Sequence, residues 1–401
     1  MQQPSNTDST AGPPAYFAWR AALLFCAPMM VNGIALLYLP AMLHDHGMTD
    51  IEIGIIVSIP FLVRMIGMPI GAWLADRVSD RAIVMIWSAA VSLAMAVALL
   101  FAQSFWPIVL FYGIQSLFYA PFVPIAEAIL VSGVRRWGFD YGFLRLWGSV
   151  AFVVATLLGG WLLDLFGGAM VIPAMTVFFG IATLVAIIAP RLGRAQPAER
   201  PAGGADGSGH NPFWQTDFLL IIVGAAIVQG SHGLLFGFAT NYWIGHGVSG
   251  LEISFLWTAG VVAEILLFFL SGRFLANISS LNLVLFGCIV AVGRWALFPL
   301  LDGFWPHLLL QATHAFTFAI IHVGIQRILM NRIGEDRGAS AQGFYQFFIS
   351  VFNVLTAWSS GFIFQAYGVQ GFYAMSILAA IGVACVAAAR MVQPQSDRSG
   401  G

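Results

Sequence analysis

The residues that could do chemistry in this chain are ionisable side chains set among apolar ones. Glu264 stands near the middle of LEISFLWTAGVVAEILLFFLSGRFLAN, residues 251–277. A carboxylate at the centre of a membrane-crossing segment costs roughly 2.5–3.5 kcal/mol on insertion scales, so it needs a partner. Counting from the ends of neighbouring apolar segments puts Arg64, Arg294 and His314 at a similar depth, with Asn32 and the pair Gln229/His232. Two bases and an acid at one level suggest mutual neutralisation around a polar cavity. The alternative is a structural ion-pair network between helices. Glu127 and Arg145 form a second candidate pair nearer the segment ends, where a boundary pair with Arg135 or Arg136 competes with substrate contact. His232, His314 and His322 each suit either a proton relay or a hydrogen bond to a neighbouring helix. Trp147 shares a segment with Arg145, and Phe61, Tyr119, Trp257 and Phe318 lie at depths that could wall a cavity. Packing is the commoner role for such rings.

No soluble catalytic pattern accompanies them. The sequence has no phosphate-cradling glycine loop with its lysine, no paired-cysteine metal site and no Gly-x-Ser-x-Gly. His44 and His46, beside Asp45 in a loop, make a poor metal site. An enzyme is not expected, nor a cofactor, a metal or a nucleic-acid partner.

These residues must be positioned by membrane-spanning helices. Of 401 residues, 59% are hydrophobic and only 9% charged, and mean hydropathy is +0.86. Such values exclude a soluble globular protein. Twelve apolar segments can be marked, at 17–43, 50–75, 81–102, 106–132, 140–164, 169–190, 214–244, 251–276, 279–300, 304–330, 338–366 and 370–390. The expected organisation is a disordered cytoplasmic tail (1–16), a six-helix bundle (17–190), a Gly/Pro/Ala-rich cytoplasmic linker (191–212), a second six-helix bundle (213–390) and a second tail (391–401). The first tail lacks the basic and small-residue features of a signal peptide. Cys26, Cys288 and Cys385 all fall in apolar segments, which argues against a disulfide framework.

The halves resemble each other at an offset of about two hundred residues. Asn32-Gly33 matches His232-Gly233, Glu52-Ile53 matches Glu252-Ile253, and Phe105-Trp106-Pro107 matches Phe304-Trp305-Pro306. At that offset Glu264 falls on Arg64. The chain has no lysine, and its arginines cluster after every second segment. The positive-inside rule then puts both termini and the linker in the cytoplasm.

The stretch Gly71-Ala-Trp-Leu-Ala-Asp76-Arg77-Val-Ser-Asp-Arg81 resembles the loop motif of the major facilitator superfamily, with Ser79 or Asp80 where the usual second glycine stands. The resemblance implies that Gly71, Asp76, Arg77 and Arg81 belong to a cytoplasmic gate. The stretches FDYGFLRLWGSVAFV (139–153), VQGSHGLLFGF (228–238), GVVAEI (260–265) and GRW (293–295), with the spacing of His314 and His322, resemble the phenylpropionic acid permease branch, related to lactose permease. This likeness spans nearly the whole chain. It implies an all-α membrane protein of twelve transmembrane helices in two pseudo-symmetric bundles. It also implies proton-coupled uptake of a small organic solute. By that likeness Glu127 and Arg145 contact substrate, while Glu264, Arg294 and His314 or His322 handle the proton. The acid that follows the histidine in lactose permease has no counterpart here, since Gln326 stands near its place.

The resulting expectation is a monomeric proton symporter of a bacterial inner membrane that works by alternating access. Its cargo would be an aromatic carboxylate such as phenylpropionate. Proton coupling would use Glu264, Arg294, His314 and His322; substrate binding would use Asn32, Arg64, Glu127, Arg145, Trp147, Gln229 and His232. Symport of a neutral nucleoside or sugar, and export of a drug or metabolite, are the alternatives. A sensor of the same fold would be expected to lose the mid-depth charges.

Overall fold

The computed structural model describes residues 12–192, 212–333 and 337–392. Most of the linker expected at 191–212, and most of both expected tails, lie outside the described residues. Those described form helices and turns, with no strand. In order they are α1 (Phe17–Asp45), α2 (Asp50–Arg77), α3 (Arg81–Leu99), α4 (Phe105–Tyr119), α5 (Phe122–Trp137), α6 (Tyr141–Phe166) and α7 (Val171–Ile187). After the linker come α8 (Thr216–Gly230), α9 (Gly233–Gly245), α10 (Gly250–Phe274), α11 (Ser280–Leu297), α12 (Phe304–Ala312), α13 (Ile321–Arg332), α14 (Gly338–Tyr367) and α15 (Phe372–Val392).

Ten helical runs among the described residues are long and apolar enough to cross a bilayer. Two of them, Tyr141–Ile187 and Ser340–Val392, extend over 47 and 53 residues, about twice the ~20 residues one crossing needs. Each contains a 3₁₀ turn, Gly167–Met170 in the first and Gly368–Gly371 in the second. Gly167 and Gly368 open these turns at φ 62° and 54°, where a side chain would strain the backbone.

Three segments expected to be continuous are interrupted. Between α4 and α5 stands Pro121, which has no amide hydrogen to continue the helix. Between α8 and α9 lie Ser231 and His232. There the Ser231 hydroxyl donates to the Val228 carbonyl at 2.6 Å and accepts from Trp295 Nε1 at 2.8 Å. Between α12 and α13 the helix widens into a π turn at Ala315–Ile320, a feature frequent at functional sites.

The internal repeat is visible in local geometry. Thr49 with Glu52, and Ser249 with Glu252, form matching capping boxes at the starts of α2 and α10. The rings of Phe105 and Trp106 meet edge-on at 5.0 Å, and those of Phe304 and Trp305 at 5.1 Å.

The segments before and after the linker pack together through α2 on α14, α6 on α10 and α1 on α9. The hydrogen bonds described between them gather at one end, away from the described chain ends. Thr240 Oγ1 donates to the Leu37 carbonyl at 2.7 Å, and Asn241 Nδ2 donates to that of Pro40 at 3.1 Å. The Asp164 carboxylate accepts from the amides of Gly250 at 2.5 Å and Leu251 at 2.9 Å, capping the N-terminus of α10 from across the interface. At the same end α2 and α14 touch through glycines: a Cβ on Gly54 would lie 2.8 Å from the Gly361 nitrogen.

Candidate functional site

Arg294, on α11, is 2% exposed and surrounded by acceptors. One guanidinium nitrogen meets His314 Nδ1 at 2.9 Å and Thr317 Oγ1 at 3.0 Å, and lies 3.4 Å from His232 Nε2. The other terminal nitrogen donates to Gln311 Oε1 at 2.6 Å. His314 in turn places Nε2 at 2.8 Å from Glu264 Oε1. Because a guanidinium can only donate, His314 Nδ1 must accept, and Nε2 carries the hydrogen that Glu264 receives. The imidazole is therefore held as one neutral tautomer between a cation and an acid. His232 is fixed in the opposite sense. Its Nδ1 faces the carbonyls of Gln229 and Val228 at 3.1 and 3.3 Å, leaving Nε2 to accept from Thr317 or Arg294.

The π turn brings this cluster together. It starts immediately after His314 and carries Thr317, so both side chains reach Arg294. The Glu264, Arg294 and His314 group expected from depth counting is thus assembled, but acid and arginine meet through an imidazole instead of directly. Sequence reasoning missed Gln311 and Thr317. Their spacing of three from His314 on either side was the available signal.

Arg64 does not join this group, which corrects the expectation of two bases around one acid. It lines a separate cavity of about 240 Å³ between α1, α2, α4, α5 and α7, every wall residue of which lies before the linker. Asn32, Tyr112, Gln115, Ser116 and Tyr119 supply its other polar groups. Arg64 is accessible there and makes no hydrogen bond or ion pair among the described residues. The Tyr119 hydroxyl is buried without a partner among the described residues.

Glu127 and Arg145 are linked through a residue the sequence reading overlooked. The Tyr141 hydroxyl donates to Glu127 and accepts from Arg145 at 2.8 Å. Tyr141 precedes Arg145 by four, one helical turn, which was the legible clue. Arg145 and Glu264 both lie within electrostatic reach of His322, whose ring meets Phe268 edge-on at 6.3 Å. Trp147 packs near Trp19 and Phe143 at 6.0 and 6.3 Å and does not line the Arg64 cavity. Gln229 is buried at the end of α8, where its carbonyl serves His232.

In the loop motif Gly71 faces Pro121 so closely that a Cβ would overlap it, and Arg77 lies 3.7 Å over the Trp73 ring. Arg81 opens α3. The Asp76 side chain lies outside the described residues. Asp80 instead caps α3 through the Ala82 amide at 3.0 Å and pairs with Arg191 at 3.8 Å. Near the start of α1, Arg20 donates to the carbonyls of Ile188 and Ala189, just beyond the end of α7, at 2.5 and 2.9 Å.

A polytopic helical protein with broken helices and charged groups inside the bundle has the makings of a membrane transporter. The chain belongs to the MFS_1 like family, which it matches over residues 25–375. It is 27% identical over 367 residues to the probable 3-phenylpropionic acid transporter of Escherichia coli (strain K12), covering 86% of this chain and 91% of that protein. It is 23% identical over 265 residues to the maltose permease of Geobacillus stearothermophilus, covering 65% and 66%. In fold it is similar to the crystal structure of the nucleoside transporter NupG, with TM-score 0.76, 16% identity and coverage of 94% and 99%. It is also similar to an inward-facing bacterial homologue of the human lysosomal transporter Spinster, with TM-score 0.72, 17% identity and coverage of 94% and 97%. The protein is a multi-pass membrane protein of a transporter family, not an enzyme.

Proposed function

We propose that this protein is a proton-coupled symporter that imports a small organic solute, an aromatic carboxylate, by alternating access. The observation that carries the reading is the buried chain Glu264–His314–Arg294. A proton arriving at this chain cannot rest on His314 Nδ1, which faces the arginine; it goes to Glu264, whose oxygens have only one described donor. Charged Glu264 is held through His314 against Arg294. Protonated Glu264 loses that attraction, and the local structure gains freedom to move. An arginine of the first half, Arg64 or Arg145, receives the carboxylate of the solute.

Each of the two over-long helical runs crosses twice, which gives twelve crossings in two six-helix bundles, 17–190 and 213–390, joined by the linker at 191–212. The termini and linker face the cytoplasm of a bacterial inner membrane, as the arginine placement indicates. The end closed by Asp164 and the paired glycines then faces outward, so this state opens inward. The functional unit is a monomer.

Glu264→Gln is the direct test, in proteoliposomes with an imposed pH gradient. The variant should fail to accumulate solute uphill while still exchanging labelled for unlabelled solute. Unimpaired accumulation would falsify the coupling role.

A further inference from the structure

We propose that the cavity around Arg64 is the solute site, and that its ligand is a monocarboxylate bearing one aromatic ring that carries a hydroxyl group. This rests on the transport reading above and specifies its substrate.

Arg64, Arg145 and Arg294 are the arginines read as candidate site residues, and their surroundings differ. Arg294 is occupied by Gln311, His314 and Thr317. Arg145 is bound to Tyr141 in the first turns of α6. Arg64 has no hydrogen-bond or ion-pair partner among the described residues and faces an accessible cavity. A guanidinium keeps its charge and presents a planar fork of donors, which a carboxylate satisfies through two parallel bonds. Asn32 lines the same cavity and adds an amide.

Volume and lining restrict the rest of the ligand. The cavity of about 240 Å³ lies below the ~300 Å³ at which pockets for drug-sized ligands begin. It suits one ring on a short chain. Met29, Met68 and Met175 with Phe179 supply soft apolar walls of the kind that pack against an aromatic ring.

Two tyrosines add hydroxyl groups to the lining. Tyr112 and Tyr119 both line the cavity from α4, seven residues apart, which places them on one face at a rise of ~10.5 Å. Tyr112 stands within electrostatic reach of Arg64. The Tyr119 hydroxyl is buried and unpartnered among the described residues. A buried hydroxyl left unsatisfied is costly, and a ligand hydroxyl there would pair with it. The carboxylate thus docks beside Tyr112 and the ring hydroxyl reaches Tyr119, a separation that a phenolic acid with a short alkyl chain can span.

The test is equilibrium binding to the purified full-length protein without a gradient. The probes are 3-(4-hydroxyphenyl)propionate, 3-phenylpropionate and 3-phenylpropionamide. The expected order of affinity is hydroxy acid, then phenyl acid, then amide. Arg64→Gln should weaken both acids by about tenfold or more and leave the amide unchanged. Tyr119→Phe should abolish the preference for the hydroxy acid while sparing the phenyl acid. If Arg64→Gln does not fold, Arg64→Lys decides: it should bind the acids more weakly yet still above the amide, and wild-type acid affinity in it would overturn the assignment. Absence of acid binding to the wild type, or wild-type acid binding by Arg64→Gln, would also overturn the site. A hydroxy preference that survives in Tyr119→Phe would overturn the hydroxyl. Because binding is read without a gradient, failure of proton-driven uptake with this pattern intact would count against the coupling chain and not against this site.

Discussion

At the scale of single residues, the Glu264–His314–Arg294 chain depends on Arg294 having no flexibility of partner. Its two terminal nitrogens satisfy Gln311, His314 and Thr317 at once, in a site almost closed to solvent. Removing the guanidinium would strand these acceptors and leave Glu264 without its counter-charge. Losing one member of a buried charged set typically costs roughly 3–5 kcal/mol. Arg294→Met should therefore lower the melting temperature of the detergent-purified protein clearly. Arg294→Lys should destabilise less, because it keeps the charge but cannot reach three acceptors in one plane. Equal melting temperatures for Arg294→Met and the wild type would show that the cluster contributes no net stability.

At the scale of elements, closure at one end rests on two devices. The Asp164 carboxylate at the end of α6 caps the exposed amides at the start of α10, where the helix dipole also favours a negative charge. Cap removal costs about 0.5–2 kcal/mol. Because this cap bridges the two halves, its loss should shift the balance toward the state open at that end. Asp164→Asn should raise the labelling rate of a cysteine placed at Thr240, whose hydroxyl now donates to Leu37. The second device is the contact of Gly54 with Gly361. Gly54→Val should open the same end more strongly, since overpacking there costs about 1–3 kcal/mol. Labelling as slow as in the parent would mean that these contacts do not hold the closed end.

At the scale of the whole molecule, the charge moved per cycle identifies the cargo class. One proton carried with one monocarboxylate moves no net charge. Uptake should then follow the pH gradient and ignore a potassium–valinomycin potential. A neutral solute carried with one proton would move one charge, and each 100 mV would contribute ~2.3 kcal/mol. Uptake that rises steeply with potential at constant pH would exclude the carboxylate as cargo. The Arg64 cavity lies before the linker and the Glu264–His314–Arg294 chain after it, so on the proposed mechanism coupling between them passes through the relative motion of the two halves.

The sequence by itself determined the membrane-spanning helices, the duplication and the charged side chains set among apolar ones. Apolar runs of the right length and a charge isolated among them carry enough free energy to be read one segment at a time. The offset that pairs Glu52 with Glu252 also recurs as paired capping boxes, because capping is a local interaction. Depth counting found Glu264, Arg294 and His314 for the same reason: depth is a property of one helix. Which partner each charge takes is not local. Depth alone put Arg64 beside Glu264, although the fold sets them in separate halves. Tyr141 between Glu127 and Arg145, and Asp164 on α10, also depend on how helices rotate and cross. The π turn after His314 rotates the two sides of its helix against each other, and no periodicity in the sequence announced it. Those pairings were decided by tertiary packing, since a side chain's direction is fixed only when its helix has neighbours.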